Sequence, residues 1–278
     1  MDALLTLLTQ RPYVVAFLIA FLVISRAERG WTRTGFWLAS GTALGWLAEF
    51  SSVRTGFPFG HYRYHAEHFP SELWLGGIPL FASLSFAFLT YFGYSAACTL
   101  RAPLEGRGLR LARVESPTRA RSLVTLALAA VLTTWMDTVM DPVTHLGRYW
   151  FLGDLYAYAQ AGFHFGVPLS NYAGWLVTSA VIVGANQRFD VWLSRRKPDV
   201  VSSPTLPLQP LWALACCVGN LAFMLAVTAY LLVSGRIPEE TPLPAILASG
   251  LVLSGLFVGF ATLRLRQGWS RKALTPRD

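Results

Sequence analysis

Residues 211–234 read LWALACCVGNLAFMLAVTAYLLVS, a stretch that decides the fold because it carries no charged residue from end to end. A helix needs about 20 mostly apolar residues to cross a bilayer, since each residue adds only about 1.5 Å of length. The whole chain is 54% hydrophobic and only 14% charged, whereas soluble domains average about 25% charged residues. The stretch therefore predicts a transmembrane helix and not the core helix of a soluble domain.

Six further apolar runs lie on either side of this stretch. They cover residues 3–25, 35–53, 73–100, 120–140, 169–187 and 243–263. Together the runs predict an all-α, polytopic membrane bundle of about seven transmembrane helices in a single domain, residues 1–278. The first run has neither the basic n-region nor the small-residue cleavage site of a signal peptide, so we expect it to be retained as a helix.

Basic residues are distributed unevenly among the loops of this bundle. If the N-terminus lies outside, eighteen of the 23 Lys and Arg residues fall on the cytoplasmic side. Cytoplasmic loops carry this kind of excess, so the sequence predicts an external N-terminus in a multi-pass protein of the cell (inner) membrane. The clusters also account for the formal charge of +8 without a nucleic-acid partner, for which the sequence has no recognition motif.

Two long outside connections, residues 51–72 and 141–168, are rich in aromatic side chains and hold all five histidines. Aromatic rings of this kind favour the membrane interface, so we expect both connections to form interfacial loops. His61, His65 and His68 are spaced by four and three residues, which on a helix would bring them to one face suited to a metal. Pro58, Pro70 and the absence of a helical pattern or of repeated histidine boxes argue against that site, and we predict no metal.

Three acids lie near the outer ends of predicted helices, namely Glu49, Asp137 and Asp141. A charged group at bilayer depth costs about 2.5–3.5 kcal/mol on insertion scales, which makes such acids candidates for function. The i, i+4 spacing places Asp137 and Asp141 on one helix face. Like charges this close hinder each other's ionisation, so one carboxyl can keep its proton and serve as a general acid.

A structural explanation of the same acids stays open. Pro142 is expected to end the helix, so Asp141 could cap a turn at Asp141-Pro142. Asp137 could pair with an outside arginine such as Arg148.

Three sequence patterns then follow one another along the chain. They are Glu49…Thr55-Gly56-x-Pro58-Phe59-Gly60-x-Tyr62-x-Tyr64, Asp137…Asp141-Pro142, and Gly166-Val167-Pro168-Leu169-x-Asn171-x-x-Gly174-Trp175. In this order and spacing they resemble the membrane carotenoid hydratases, the carotenoid C-1′,2′-hydratase and bisanhydrobacterioruberin hydratase group of the carotenoid biosynthesis protein family. The resemblance covers roughly the second to the fifth predicted helix.

The resemblance implies a hydro-lyase that adds water across the terminal 1,2 double bond of an acyclic (ψ) carotenoid end group and leaves a tertiary 1-hydroxyl. The reaction needs an acid, a means of stabilising a tertiary cation, and a water, and it needs neither a metal nor a cofactor. The candidate catalytic residues are Asp137, Glu49 and Asp141. The candidate substrate-binding residues are Tyr62, Tyr64, His61, Trp150, Asn171 and Trp175.

The expected partners are a membrane-embedded carotenoid, water and the lipid bilayer, and the resemblance leaves room for association with other enzymes of the carotenoid pathway. Two alternatives stay open at this point. One is a metal-dependent membrane oxygenase or desaturase, and the other is a non-enzymatic carrier of lipids or isoprenoids. A transporter would place charged groups near the midplane in broken helices, whereas the acids here are predicted at one end.

Overall fold

A computed structural model describes residues 9–106, 108–196 and 205–271, without the side chains of residues 269–271. Over these residues the chain is mostly helical, as predicted. The helices are α1 Pro12–Thr55, α2 Leu80–Arg101, α3 Pro117–Ala120, α4 Leu123–Thr144, α5 Leu169–Ser194, α6 Trp212–Ser234 and α7 Leu243–Arg271. The strands are β1 Tyr62–Tyr64, β2 Trp74–Leu75, β3 Ile78–Pro79, β4 Leu104–Glu105, β5 Ala112–Arg113 and β6 Tyr156–Tyr158, paired as β1–β6, β2–β3 and β4–β5.

Helix α1 is broken at Gly30, whose φ of 74° and ψ of 166° are not helical. The hydroxyl oxygens of Ser25 and Thr34 lie 2.8 Å apart, whereas nine residues of straight helix would separate their Cα atoms by about 13 Å. The chain therefore reverses at Gly30, where glycine is favoured because φ is positive. Helix α1 is thus two antiparallel arms, residues 12–29 and 31–55.

The two arms correspond to the first two predicted helices, and residues 3–8 of the first prediction lie outside the described residues. Four helical segments of the described chain are long and apolar enough to cross a membrane: Leu80–Arg101, Leu123–Thr144, Gln209–Ser234 and Leu243–Gly268. These segments support a helical membrane protein.

The third predicted helix begins too early in the sequence. Residues 73–79 form the hairpin β2–β3, in which Leu75 pairs with Ile78 across Gly76 and Gly77. Both glycines have positive φ, 59° and 84°, as a two-residue type I′ turn requires. The apolar run continues unbroken from the hairpin into α2, so hydrophobicity alone could not separate the two.

Helix α2 forms the centre of the bundle, and most of its side chains are buried. A Cβ atom added at Gly41 of the second α1 arm would lie 2.7 Å from the Cα of Ala87, and one added at Gly93 would lie 2.3 Å from the Thr133 hydroxyl of α4. The absence of a side chain at these two glycines lets α1 and α4 approach α2 on different sides. The same approach brings the polar residues of all three helices close together.

The two long aromatic connections meet at one end of the bundle. Strand β1 of the first pairs with β6 of the second in antiparallel register, with Tyr62 opposite Tyr158 and Tyr64 opposite Tyr156. Beyond the strands, the backbone N–H of His65 donates to the carbonyl of Leu155 at 2.8 Å. The connections are therefore joined to each other by a small sheet over the helix ends.

Candidate functional site

A cavity lies inside the bundle, below the β1–β6 sheet, with walls from α1, α2, α4, α5 and α6. The cavity and its mouth together hold about 1040 Å³ of space between atoms, open solvent included. Its polar lining residues are Tyr13, Glu49, Tyr62, Tyr64, Ser85, Asp137, Asp141, Thr144, Tyr156, Tyr158, Asn171 and Asn220. The remaining lining is aromatic and aliphatic, so the cavity combines a polar patch with an apolar chamber.

Most of the residues predicted from sequence line this cavity. They are Glu49, Asp137, Asp141, Tyr62, Tyr64, Trp150, Asn171 and Trp175. His61 is the exception among the predicted set: its side chain is exposed and lies against Gly56. Side chains alternate along a strand, so Tyr62 and Tyr64 of β1 face the cavity while His61 shares the outward face of Arg63.

Asn171 joins the two aspartates of α4. Its Nδ2 donates to Asp137 Oδ2 at 2.8 Å and to Asp141 Oδ2 at 2.9 Å. Both carboxyls are buried, with exposures of 4% and 8%. Their i, i+4 spacing on α4 brings the two carboxyls to one helix face, as predicted. Asn171 lies in the first turn of α5, which begins directly after Pro168. One amide therefore bridges the pair across two helices.

Asp141 accepts hydrogen bonds from four side chains. The hydroxyl of Tyr158 donates to Oδ2 at 2.7 Å and that of Thr144 to Oδ1 at 3.1 Å. Tyr156 donates to Oδ1, and Asn171 completes the set. Burial, and then the nearby charge of Asp141, raise the pKa of Tyr156 and Tyr158 well above the usual value for tyrosine, so both phenols stay protonated and can donate.

Sequence reasoning had assigned Tyr156 and Tyr158 only to an aromatic interfacial loop. A signal was present, because Tyr62-Arg63-Tyr64 and Tyr156-Ala157-Tyr158 share the same alternating pattern. Such a pattern is typical of strands with one side facing a core. It could have suggested that the two loops pair and direct four phenols to one place.

Glu49 projects from the second arm of α1. The Tyr64 hydroxyl donates to its Oε1 at 2.6 Å, and the Ser83 hydroxyl lies 3.5 Å from its Oε2. Burial, and then the charge of Glu49, raise the pKa of Tyr64 well above the usual value, which keeps this phenol a donor. Glu49 is therefore held by the sheet and by α2.

The cavity contains three carboxyl groups and, among its described lining residues, no Lys or Arg. The opposite end of the bundle differs. There Asp190 is paired with Arg29 at 3.0 Å, with Arg121 at 3.0 Å and with Arg33, and Glu28 with Arg113 at 3.4 Å. Those carboxylates are neutralised by arginines, so they are structural ion pairs. The acids that arginines do not neutralise lie together in the cavity.

The structural explanation considered for the aspartates is contradicted. Arg148 lies 3.6 Å from Asp154 and is not a partner of Asp137 in the described structure. Helix α4 continues through Pro142 to Thr144, and the N–H of His145 still donates to the Asp141 carbonyl at 2.9 Å. Asp141 is therefore a residue of the helix and not the cap of a turn, because a proline this close to the helix end removes only one N–H donor.

Stacked rings form one wall of the cavity. Trp175 of α5 stacks on Phe86 of α2 with centroids 4.4 Å apart, and Phe59 lies 6.0 Å from the same indole. Tyr62 and Tyr64 meet edge to face at 5.5 Å. These faces carry negative π density that attracts cations.

One group of described residues could hold a metal ion: His65, His68 and Asp154, whose ligand atoms all lie within 4.8 Å of one another. His61 is not part of this group, so the spacing of the three histidines did not predict it. None of these three residues lines the cavity. The groups that the described residues offer inside the cavity include carboxyl, phenol, amide and aromatic ring groups.

A bundle of apolar helices around a buried acid cluster without a countercharge among the described lining residues defines a helical membrane protein with a polar internal site. The family model described as "Carotenoid biosynthesis protein" matches residues 10–252. The chain belongs to the carotenoid biosynthesis protein family, and the resemblance seen in its sequence patterns is confirmed. No solved structure matches it.

A curated relative is the bisanhydrobacterioruberin hydratase of Haloarcula japonica. It is 30% identical to this chain over 151 residues, which are 54% of this chain and 44% of the relative. The matched part thus spans less than half of the relative's length. Together with the family, this supports a carotenoid-modifying membrane protein.

Proposed function

We propose that this protein is a carotenoid hydratase. It adds water across the terminal 1,2 double bond of an acyclic ψ end group, with the hydroxyl at C1 and the new hydrogen at C2. The observation that carries the proposal is the acid cluster itself: buried carboxyls without a countercharge at the polar end of an apolar cavity. Burying a lone carboxylate is very costly, so such a cluster holds protons, and a buried neutral carboxyl is the acid that protonation of an alkene needs.

Asp137 is the proton donor in this proposal. Its Oδ2 accepts a hydrogen bond from Asn171, whereas the Asp141 carboxylate accepts from four side chains. Hydrogen bonds to a carboxylate favour the ionised form. The charge of the pair is therefore best placed on Asp141, and the proton on Asp137.

The proposed reaction then has two steps. The Asp137 proton adds to C2, the π electrons form the new C–H bond, and C1 becomes a tertiary cation. Water attacks C1, and its released proton returns to the Asp137 carboxylate, so the enzyme is regenerated. General acid–base catalysis by a positioned group typically contributes about 10²–10⁴-fold. Glu49, held by Tyr64, is the group we assign to orient the water.

The aromatic wall of the cavity stabilises the tertiary cation at C1 in this proposal. Each ring face within about 6 Å of a cation contributes about 0.5–2 kcal/mol, and more when water is excluded. Tyr62, Tyr64, Trp150 and Trp175 line the same cavity as the acids. Tyr64 also keeps its hydroxyl directed to the Glu49 carboxyl, which leaves its ring for the substrate.

The polyene chain of the substrate needs a way out of the cavity. A groove beside it is lined by Phe151, Tyr230, Arg148 and Arg236, and shares Trp150 and Phe223 with the cavity. The two shared rings lie 6.3 Å apart at the boundary. We assign this boundary to the passage of the carotenoid between lipid and site, because Phe151 and Tyr230 are exposed on the outer surface of the bundle.

Pigment analysis tests the proposed function. A host that makes acyclic carotenoids should, on expressing this chain, accumulate pigments with a tertiary 1-hydroxyl. A host with an inactive variant at matched protein level is the control. Unchanged pigments, with the protein present in the membrane, would contradict the proposal and favour a carrier.

We also propose the membrane arrangement: one domain of seven spans, an external N-terminus, and the cavity at the outer face of the cell (inner) membrane. The antiparallel arms of α1 and the arginine-rich end opposite the cavity support it. Reporter fusions after Arg113 and after Lys197, which lies outside the described residues, should give cytoplasmic signals. A fusion after Trp150 should give an external signal, and a cytoplasmic one there would refute the arrangement.

A further inference from the structure

We propose that His65, His68 and Asp154 bind a zinc ion, with water in the fourth position, and that the ion joins the two outer connections. The residues come from both connections that form the β1–β6 sheet. The two histidines follow β1 in the first connection, and Asp154 precedes β6 in the second. The proposal does not depend on the reaction in the cavity, since none of the three residues lines it.

The separation of the ligand atoms fits a tetrahedral metal. His65 Nδ1 lies 3.3 Å from Asp154 Oδ2. Bonds of about 2.0–2.1 Å to zinc, at tetrahedral angles, place two ligand atoms about 3.3–3.4 Å apart. One ligand atom from each of the three residues lies within 4.8 Å of the others, so small side-chain rotations would complete a set of three.

The buried imidazole of His65 lacks a hydrogen-bond partner among the described residues. His65 is 7% exposed, and neither Nδ1 nor Nε2 makes a hydrogen bond with proper geometry to any residue that the structure describes. The 3.3 Å approach to Asp154 satisfies a distance criterion for an ion pair, but its angle does not make a hydrogen bond. A buried polar group without a partner is costly, and a metal ion would satisfy a lone pair on this ring.

His68 is already oriented as metal-bound histidines usually are. Its Nδ1 lies 3.3 Å from the backbone carbonyl of Asp154. If Nδ1 donates its N–H to that oxygen, Nε2 carries the free lone pair. A ring nitrogen donating to a backbone carbonyl is the common outer-shell partner of a ligating histidine.

The chemistry of the ligands selects the metal class. Two imidazoles and one carboxylate suit a borderline divalent ion such as Zn²⁺. Asp154 also lies 3.6 Å from Arg148 through Oδ1, which leaves Oδ2 for the metal. Because the histidines and Asp154 flank the paired strands, zinc would fix the sheet that directs Tyr64 and Tyr158 to the carboxyls.

Zinc binding is measured on the full chain, purified in detergent and stripped with a chelator. Titration with Zn²⁺ should give one tightly bound equivalent and raise Tm by about 5 °C. Asp154→Asn keeps the size of a side chain that is partly exposed, so it should fold and should lose both the binding and the shift. His65→Asn should behave in the same way, while His61→Ala, which changes an exposed histidine outside the group, should retain both.

The alternatives give different results. Absence of a bound equivalent in the unaltered protein would overturn the proposal, and the His65–Asp154 contact would then be an ion pair only. Zinc that binds equally to Asp154→Asn, His65→Asn and the unaltered protein would also overturn it, because such binding does not use these ligands.

Discussion

Asp137→Asn is expected to lower carotenoid hydration at least about 100-fold while the protein remains folded in the membrane. The substitution preserves the size of the side chain and an oxygen to accept the hydrogen bond from Asn171. It removes the acidic proton, which the proposed first step requires. The measurement is the ratio of 1-hydroxylated to unhydrated pigment in the expression host at matched protein level.

His61→Ala is the matched control for this variant. His61 was a candidate from sequence, but it faces away from the cavity, so hydration should stay near the normal level. Near-normal hydration by Asp137→Asn would move the proton donor to Glu49, the carboxyl of the cavity that lies on a different helix. Glu49→Gln would then show the large loss that we assign to position 137.

Asp141→Asn is expected to show the second-largest loss. The Asp141 carboxylate accepts from Tyr156, Tyr158, Thr144 and Asn171, and an amide replaces one of its acceptors with a donor. At least one phenol or the Asn171 amide then loses its partner, at about 1–3 kcal/mol. We expect hydration to fall about 10- to 100-fold and Tm to fall by a few degrees.

Tyr158→Phe separates the loss of one hydrogen bond from the loss of the Asp141 carboxylate itself. It removes one donor to Asp141 and leaves the carboxylate and the remaining donors in place, so the loss of hydration should be tenfold or less, about the worth of one hydrogen bond. If Tyr158→Phe were as damaging as Asp141→Asn, the phenol itself would be the essential group. The assignment of Asp141 as the fixed carboxylate would then be wrong.

The sequence predicted the helices and the acids because both signals are local. An uncharged run long enough to span a bilayer can be recognised without knowing its neighbours, and the i, i+4 spacing of Asp137 and Asp141 places them together on any helix. Asn171 and Trp175 were reached through the family pattern. The separation of the first two helices was also predicted, and the structure narrows the predicted connection of residues 26–34 to a break at Gly30.

The contacts between distant segments were not predictable in the same way. Tyr156 and Tyr158 meet Asp141 because β6 pairs with β1 across the bundle end, and strand pairing of this kind is not encoded in either strand alone. The histidine spacing could not indicate the group either, since the residue that lies close to His65 and His68 is Asp154 of the other connection and not His61. Local patterns identified the residue types, and tertiary packing decided which of them meet.

The central claim is that the hydroxyl oxygen comes from water and the new C2 hydrogen from a carboxyl in exchange with water. Membranes containing the protein should be supplied with an acyclic carotenoid in H₂¹⁸O, and in a parallel reaction in D₂O, and the product examined by mass spectrometry. The account predicts one ¹⁸O at C1 from the water, one deuterium at C2, and full activity without molecular oxygen. Oxygen derived from ¹⁸O₂ and a product that fails to form in its absence would contradict hydration and identify a metal-dependent oxygenase instead.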